Sequence, residues 1–222
     1  MAGSPSKAVA NAPDQPLVLV GGGGHALVVA EAAVAAGIVP VGFLDDDPDA
    51  VLGRAPNPVM LVGRIGELER IADRGWILGV GQLAFRGMVI DRLAQMEMGR
   101  GARTVIHPSA VVSATARIGV GVFIGPGAIV NARAVVMDHA IVNTGAIVEH
   151  ECVVGFNTHI APGAVLAGRV RVGMQTLVGV GSRVLPELSI GDRCVVGGGS
   201  VVIRSVVDDQ TVVGVPARAR SK

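Results

Sequence analysis

One of the chain's five histidines stands between two carboxylates. Glu149-His150-Glu151 supplies an imidazole, which exchanges a proton near neutral pH, and an adjacent anion able to fix its orientation. Those are the parts of a general base, whose use is to take a proton from an attacking amine or hydroxyl. Asn143 and His159 form a second polar pair of the kind that holds a substrate or an oligomer contact. Nearer the N-terminus, Gly21-Gly22-Gly23-Gly24-His25-Ala26 follows an apolar run. Its Gly21-x-Gly23-x-x-Ala26 spacing lets backbone N–H groups approach a phosphate. Asp45-Asp46-Asp47 closes the next apolar run and can reach a ribose or a base. Cys152 and Cys194 read as small core residues, so no disulfide is expected. No two histidines fall at short ligand spacing on one face, so no metal site is expected either.

A six-residue repeat must position the His-Glu group. From Ile106 through Val112, Ile118 and Ile124 to Val202, every sixth residue is aliphatic, and four places after each stands a mostly small one, such as Ala128, Cys152, Thr158, Ser182 or Cys194. The small residue and the next aliphatic are two apart, so on an extended segment both point to one side. Strands so short bury nothing alone and must stack on copies of themselves as a parallel β-solenoid. In this count Val148 points inward, while His150 and Glu151 fall on a corner and face out. His139 also falls on a corner and His107 precedes Pro108 at the junction; neither receives a role.

Ahead of the repeat, the pattern predicts strands over 16–20, 39–44, 59–62 and 76–80 and helices over 27–36, 65–74 and 85–98, with 103–106 leading into the hexads. Strand, glycine loop, helix, strand and acidic end open a Rossmann-like unit. The reading is an α/β domain with a parallel sheet over 16–104, then a β-helix domain with a C-terminal tail over 105–222. Residues 1–15 are rich in Ala, Ser, Pro and Asn without periodicity and read as a disordered tail. A net charge of +1 with no basic run argues against nucleic acid as a partner. No stretch of membrane-spanning length is free of charge and glycine, and no signal peptide is evident, so a cytoplasmic location is expected.

The hexads resemble those of the hexapeptide-repeat acyltransferases. That resemblance implies a left-handed β-helix of triangular section with three hexads per coil, in which residues about 18 apart stack. Gly168, in Ala167-Gly168-Arg169, then shares the corner of His150 one coil on, and its uncovered N–H is a candidate oxyanion donor. Asn143 and His159 become neighbours on the opposite side, and serve the same site as His150 only if a second chain supplies one of the two groups.

The Gly-Gly-His loop, Asp45-Asp46, Glu149-His150-Glu151-Cys152 and Val213-Gly214-Val215-Pro216-Ala217, in that order, are similar to the nucleotide-sugar N-acetyltransferases. These include bacillosamine-pathway and perosamine enzymes, alongside the related sialic acid O-acetyltransferases, and the likeness runs from about Leu17 to Arg218. It implies that His150 is the base, that Glu151 orients it and that the Gly168 N–H receives the oxyanion. His159, Val180 and Gly198 match coenzyme A contacts, with Pro216 and Arg218 near its nucleotide end. Gly23, Gly24, His25, Asp45, Asp46 and Gly81 match the pocket of a UDP- or GDP-linked 4-amino-dideoxy sugar, with Asn143 as a further substrate contact. The family is homotrimeric, uses acetyl-CoA without a metal, and serves the building of surface polysaccharides or glycans.

One departure matters: Gly81 is followed by Gln82-Leu83-Ala84-Phe85-Arg86, where family members often carry Asn or Asp-Asn, which leaves the nucleotide and sugar open. The competing readings are an O-acetyltransferase of sialic acid, an NAD-dependent oxidoreductase resting on the glycine loop, and a non-catalytic solenoid scaffold. The first needs no nucleotide pocket. The second leaves the solenoid without a task, and the third leaves the His-Glu corner unexplained.

Overall fold

The computed structural model describes residues 15–220, in two compact units that divide between Pro108 and Ser109. The expected tail, apart from Gln15, lies outside the described residues.

The N-terminal unit is built from β1 (Leu17–Val20), α1 (Gly24–Ala35), β2 (Pro40–Leu44), β3 (Leu61–Gly63), β4 (Gly75–Leu78) and α2 (Leu83–Gln95). The strands pair in the order β3-β2-β1-β4, every pair parallel. The unbroken apolar run of β1 is fully buried, as befits a central parallel strand covered on both faces. Because β2 lies on one side of β1 and β4 on the other, the connections reverse direction there. The crevice at their carboxyl ends is where such sheets bind ligands. The glycine loop follows β1 and Gly81 follows β4, so the order of strands brings both to that crevice.

Two differences from the expected elements have local causes. Helix α1 begins inside the glycine run, at Gly24, because Gly23 is extended enough to serve as its N-cap. The helix expected over 65–74 is a single 3-10 turn, Leu68–Ile71. Glu67 accepts the N–H of Arg64 at 2.8 Å and pairs with Arg70 at 2.9 Å, folding the segment back onto the end of β3. Arg86 of α2 is almost wholly buried and donates to the Val80 carbonyl at 2.8 Å, bracing the end of β4; burial pushes its guanidinium down to about 9.

From Val111–Val112 onward, two-residue strands recur every six residues in a left-handed coil with three sheets. Partners are 18 apart, as in Ile129↔Ile147 and Ile147↔Val165. Every predicted inward aliphatic from Ile124 to Val202 is at most 2% exposed, so the core is one continuous column. Its polar members are satisfied by corner carbonyls: Thr158 Oγ1 donates to Gly173 O at 2.6 Å, Thr176 Oγ1 to Gly191 O at 2.8 Å and Cys152 Sγ to Ala167 O at 3.0 Å. Both cysteines are free and buried. The 18-residue period ends after Val202. The last coil is two residues shorter, pairing Ile190 with Val206 and Val195 with Thr211, before Arg218–Ala219 folds back antiparallel on Thr211–Val213.

From Gly121 to Gly199 every sixth residue takes the left-handed conformation at a corner. On the corner of His150 these are Arg133, Glu151, Arg169 and Glu187, with φ of 61°, 59°, 62° and 62°. Four identical turns set 18 apart stack those four side chains in one row. The strand pairing therefore fixes a column of alternating charge.

Candidate active site

His150 stands at the corner joining Ile147–Val148 to Val153–Val154, with its side chain about half exposed. Its backbone N–H donates to Glu149 Oε2 at 3.3 Å, and its carbonyl accepts the N–H of Arg169, one coil on, at 2.9 Å. The ring is held between two neighbours. Nδ1 lies 3.5 Å from Glu151 Oε2, an ion-pair distance longer than a good hydrogen bond. Nε2 lies over Gly168, so close that a Cβ built there would stand 2.5 Å from it. A carboxylate on the Nδ1 side favours the tautomer with its proton on Nδ1, leaving the Nε2 lone pair free above Gly168.

Glu151 is gripped more firmly by Arg169 of the column than by His150. Arg169 Nε donates to its Oε2 at 3.0 Å and Arg133 approaches its Oε1 at 3.5 Å, while Arg169 also binds Glu187 at 3.0 Å. The hydrogen bond from Arg169 is the main reason the Glu151 carboxyl is held below the usual carboxylate range. This column went unassigned in the sequence, although Arg133, Glu151, Arg169 and Glu187 alternate in sign at 18-residue spacing.

The first residue of each corner turns its N–H outward, and several of these groups are capped or removed. Asp138 caps Val120 at 2.9 Å, Asp192 caps Met174 at 2.7 Å and Asp208 caps Asp192 at 2.9 Å. Pro126, Pro162 and Pro186 have no N–H to offer. The N–H of Gly168 has no hydrogen-bond partner among the described residues, and neither have those of Ala132, Asp138, Phe156, Val180 and Gly198 at the same position of their corners. An oxyanion donor needs such a group at Gly168. Val180 is 60% exposed and lies against Gly198 in the next coil of another corner. Pro216 and Arg218 lie exposed at the end of the last coil.

Asn143 and His159 meet as expected, Asn143 Nδ2 to His159 Nε2 at 3.0 Å. Asn143 is buried, and its Oδ1 accepts the Thr144 N–H at 2.8 Å, which fixes the amide's orientation. This pair belongs to the sheet containing Ile141–Val142, His159–Ile160 and Leu177–Val178. His150 sits at the corner between the other two sheets, so the fold brings Asn143 and His159 to each other and places His150 on a different edge of the coil.

In the N-terminal unit the four glycines divide by task. Gly21 has a φ of +105° and a Cβ there would strike Val80, while one at Gly22 would strike Phe43, so both are demanded by packing. A Cβ on Gly23 or Gly24 would meet nothing within 4 Å; they leave open space above the first turn of α1, whose N–H groups suit an anion. His25 is half-buried beside Gly81. Asp45 uses both carboxylate oxygens on backbone, accepting Gly22 N–H at 2.6 Å and Asp47 N–H at 2.8 Å. It thereby clamps the loop to the end of β2. Asp46 gives one oxygen to Ile65 N–H at 3.3 Å, and its other oxygen has no hydrogen bond among the described residues. It borders a cavity of about 330 Å³ together with Leu61, Arg64, Glu67 and Arg70, residues that sequence spacing did not single out. Among the described residues no cluster of His, Cys, Asp and Glu is arranged to hold a metal, and no helix is long and apolar enough to cross a membrane.

The PglD N-terminal domain model matches residues 16–93. No curated protein matches the sequence. Among solved structures, the acetyltransferase domain of PglB from Neisseria gonorrhoeae FA1090, in complex with acetyl coenzyme A, is 33% identical, with 93% of this chain and 99% of that chain covered and a TM-score of 0.85. A point variant of perosamine N-acetyltransferase from Caulobacter crescentus, in complex with CoA and GDP-perosamine, is 36% identical over 98% of this chain and 100% of that one, with a TM-score of 0.84. WeeI from Acinetobacter baumannii AYE, at 23% identity, with 92% of this chain and 99% of that chain covered and a TM-score of 0.78, shares the fold. With both units matched in one chain at these identities, the protein belongs to the PglD-type family of nucleotide-sugar N-acetyltransferases of the left-handed β-helix class.

Proposed function

We propose that the protein transfers the acetyl group of acetyl-CoA to the amino group of a UDP- or GDP-linked 4-amino-dideoxy sugar, with His150 as the general base. The observation that carries the reading is the placement of the His150 ring. Nε2 lies over Gly168, whose N–H has no partner among the described residues, and Nδ1 faces the Glu151 carboxylate. The perosamine enzyme with CoA and GDP-perosamine in its structure supports the choice of both substrates.

In this mechanism the neutral sugar amine attacks the thioester carbonyl. A C–N bond forms, the carbonyl π electrons move onto oxygen, and the Gly168 N–H receives that charge. Nε2 of His150 takes the proton from the attacking nitrogen, while Glu151 steadies the imidazolium. Collapse of the intermediate breaks the C–S bond, and the imidazolium returns its proton to the departing thiolate. Positioning of the two substrates supplies a large share of the acceleration, since thioester aminolysis needs proximity more than strong acid or base.

His159, Val180, Gly198, Pro216 and Arg218 are assigned to coenzyme A. Gly23, Gly24, His25, Asp46 and Gly81 are assigned to the nucleotide sugar, with Asp45 holding their loop in shape. Asn143, through its bond to His159, is assigned to the acetyl-transfer end of a site made between subunits of a homotrimer. A cytoplasmic place in the building of surface glycans fits such a substrate.

The test is thiol release from acetyl-CoA against a panel of UDP- and GDP-linked 4-amino sugars, with sialic acid as a hydroxyl control. Turnover on one nucleotide amino sugar, lost by at least about a hundredfold in His150→Ala, is the expected result. Silence on every amino sugar with turnover on sialic acid overturns the assignment of the acceptor. Wild-type turnover by His150→Ala overturns that of the base.

A further inference from the structure

The His150 ring stands in a mixed field. On its own corner are Glu149 and Glu151; from the preceding coil comes Arg133, from the following coil Arg169, and beyond that Glu187. A carboxylate beside an imidazole, here that of Glu151, stabilises its protonated form. A cation set against the same carboxylate offsets that attraction. The compensation is built into the turn. Glu151 and Arg169 occupy the same left-handed position of successive corners, and the Arg169 N–H donates to the His150 carbonyl at 2.9 Å. That bond sets Arg169 directly against the His-Glu pair. Its Nε then takes Glu151 Oε2 at 3.0 Å, the same oxygen that lies 3.5 Å from His150 Nδ1.

We propose that Arg169 is a positioning residue for proton transfer: it holds the Glu151 carboxylate off the His150 ring, so that the ring is oriented by that anion while Arg169 takes the closer contact with it. The proposal rests on the reading of His150 as the base. Arg169 is well suited to the task because a guanidinium keeps its charge at every working pH and its planar fork can hold Glu151 and Glu187 together. Arg133, at 3.5 Å from the other oxygen, is the weaker partner.

The experiment is a histidine-ring NMR titration of the full chain, with the His150 signal identified by its loss in His150→Asn, run beside the pH profile of kcat/KM. The expected result for Arg169→Gln is that the His150 titration midpoint moves to higher pH and the acid limb of kcat/KM moves with it. Roughly threefold activity is then lost on that limb while the neutral plateau is kept, and Arg169→Lys restores much of both. Because the Arg169 side chain is 59% exposed, the substitution leaves the core column intact. A midpoint that stays in place, or falls, overturns the proposal outright. A midpoint that rises while the acid limb stays shows instead that His150 is not the base in the rate-limiting proton transfer, and the proposal falls with that reading.

Discussion

At Gly168 the missing side chain is as important as any side chain present. A Cβ would stand 2.5 Å from His150 Nε2, a separation real Cβ atoms do not tolerate, so Gly168→Ala must push the ring off the corner. The backbone at 168 does not require glycine, because its φ lies outside the left-handed region. The substitution should therefore cost little stability and much activity: kcat is expected to fall by about 10²-fold, as when a catalytic group is displaced by an ångström, with the thermal midpoint within a few degrees of the wild type. A large loss of stability with normal kcat per folded molecule would show that Gly168 serves the turn and leaves the chemistry to other groups. Much of this pairing was legible in the sequence, because residue type marks His150 and an 18-residue step finds Gly168. The grip of Arg169 on Glu151 was harder to see. It depends on both residues sharing the left-handed corner position, and nothing in an arginine's identity announces that conformation.

Among the elements, the glycine loop shows how one motif divides into structural and open parts. Asp45 accepts the Gly22 and Asp47 N–H groups, so removing its carboxylate leaves two donors unsatisfied and the loop untied from β2. Asp45→Ala is expected to destabilise the N-terminal unit by about 1–3 kcal/mol. It should also raise KM for the nucleotide sugar while KM for acetyl-CoA stays unchanged. Asp46→Ala is expected to raise the same KM with a stability change within about 0.5 kcal/mol, since its carboxylate is exposed and makes one long bond. Denaturant unfolding beside steady-state kinetics separates the two; equal stability losses would put Asp46 in the clamp as well. The strands of this unit were legible from their apolar runs, α1 from its Ala- and Val-rich run stopped at Gly37, and α2 from its periodicity. The turn at Leu68–Ile71 was not, because Glu67 bonds back to Arg64 and spends on a local loop the residues that a longer helix would have used.

For the whole molecule, the solenoid's inward column explains its stability and its outward rows point to its assembly. One sheet presents Val111, Ile129, Ile147, Val165 and Val201 outward, with only Arg183 interrupting them, and Leu185 and Ile203 nearby are 44% and 38% exposed. A contiguous aliphatic face of this kind is covered in a stable soluble protein, and a second copy of the chain suits it. The chemistry asks for the same arrangement, because His150 and the Asn143–His159 pair lie on different edges of one coil and can serve one site only across an interface. The hexads made the coil readable, whereas the assembly depends on which outward residues line up, a matter of coil geometry rather than of any one repeat. As the homotrimer proposed above, the protein should give a light-scattering particle of about three times the 22.5 kDa chain mass. Val165→Glu, which alters the outward face and leaves the buried column untouched, should reduce that particle toward a single chain, keep the circular dichroism of the coil and abolish turnover. A wild-type protein that is fully active as a single chain would remove both the trimer and the shared site, and would require Asn143 and His159 to act apart from His150.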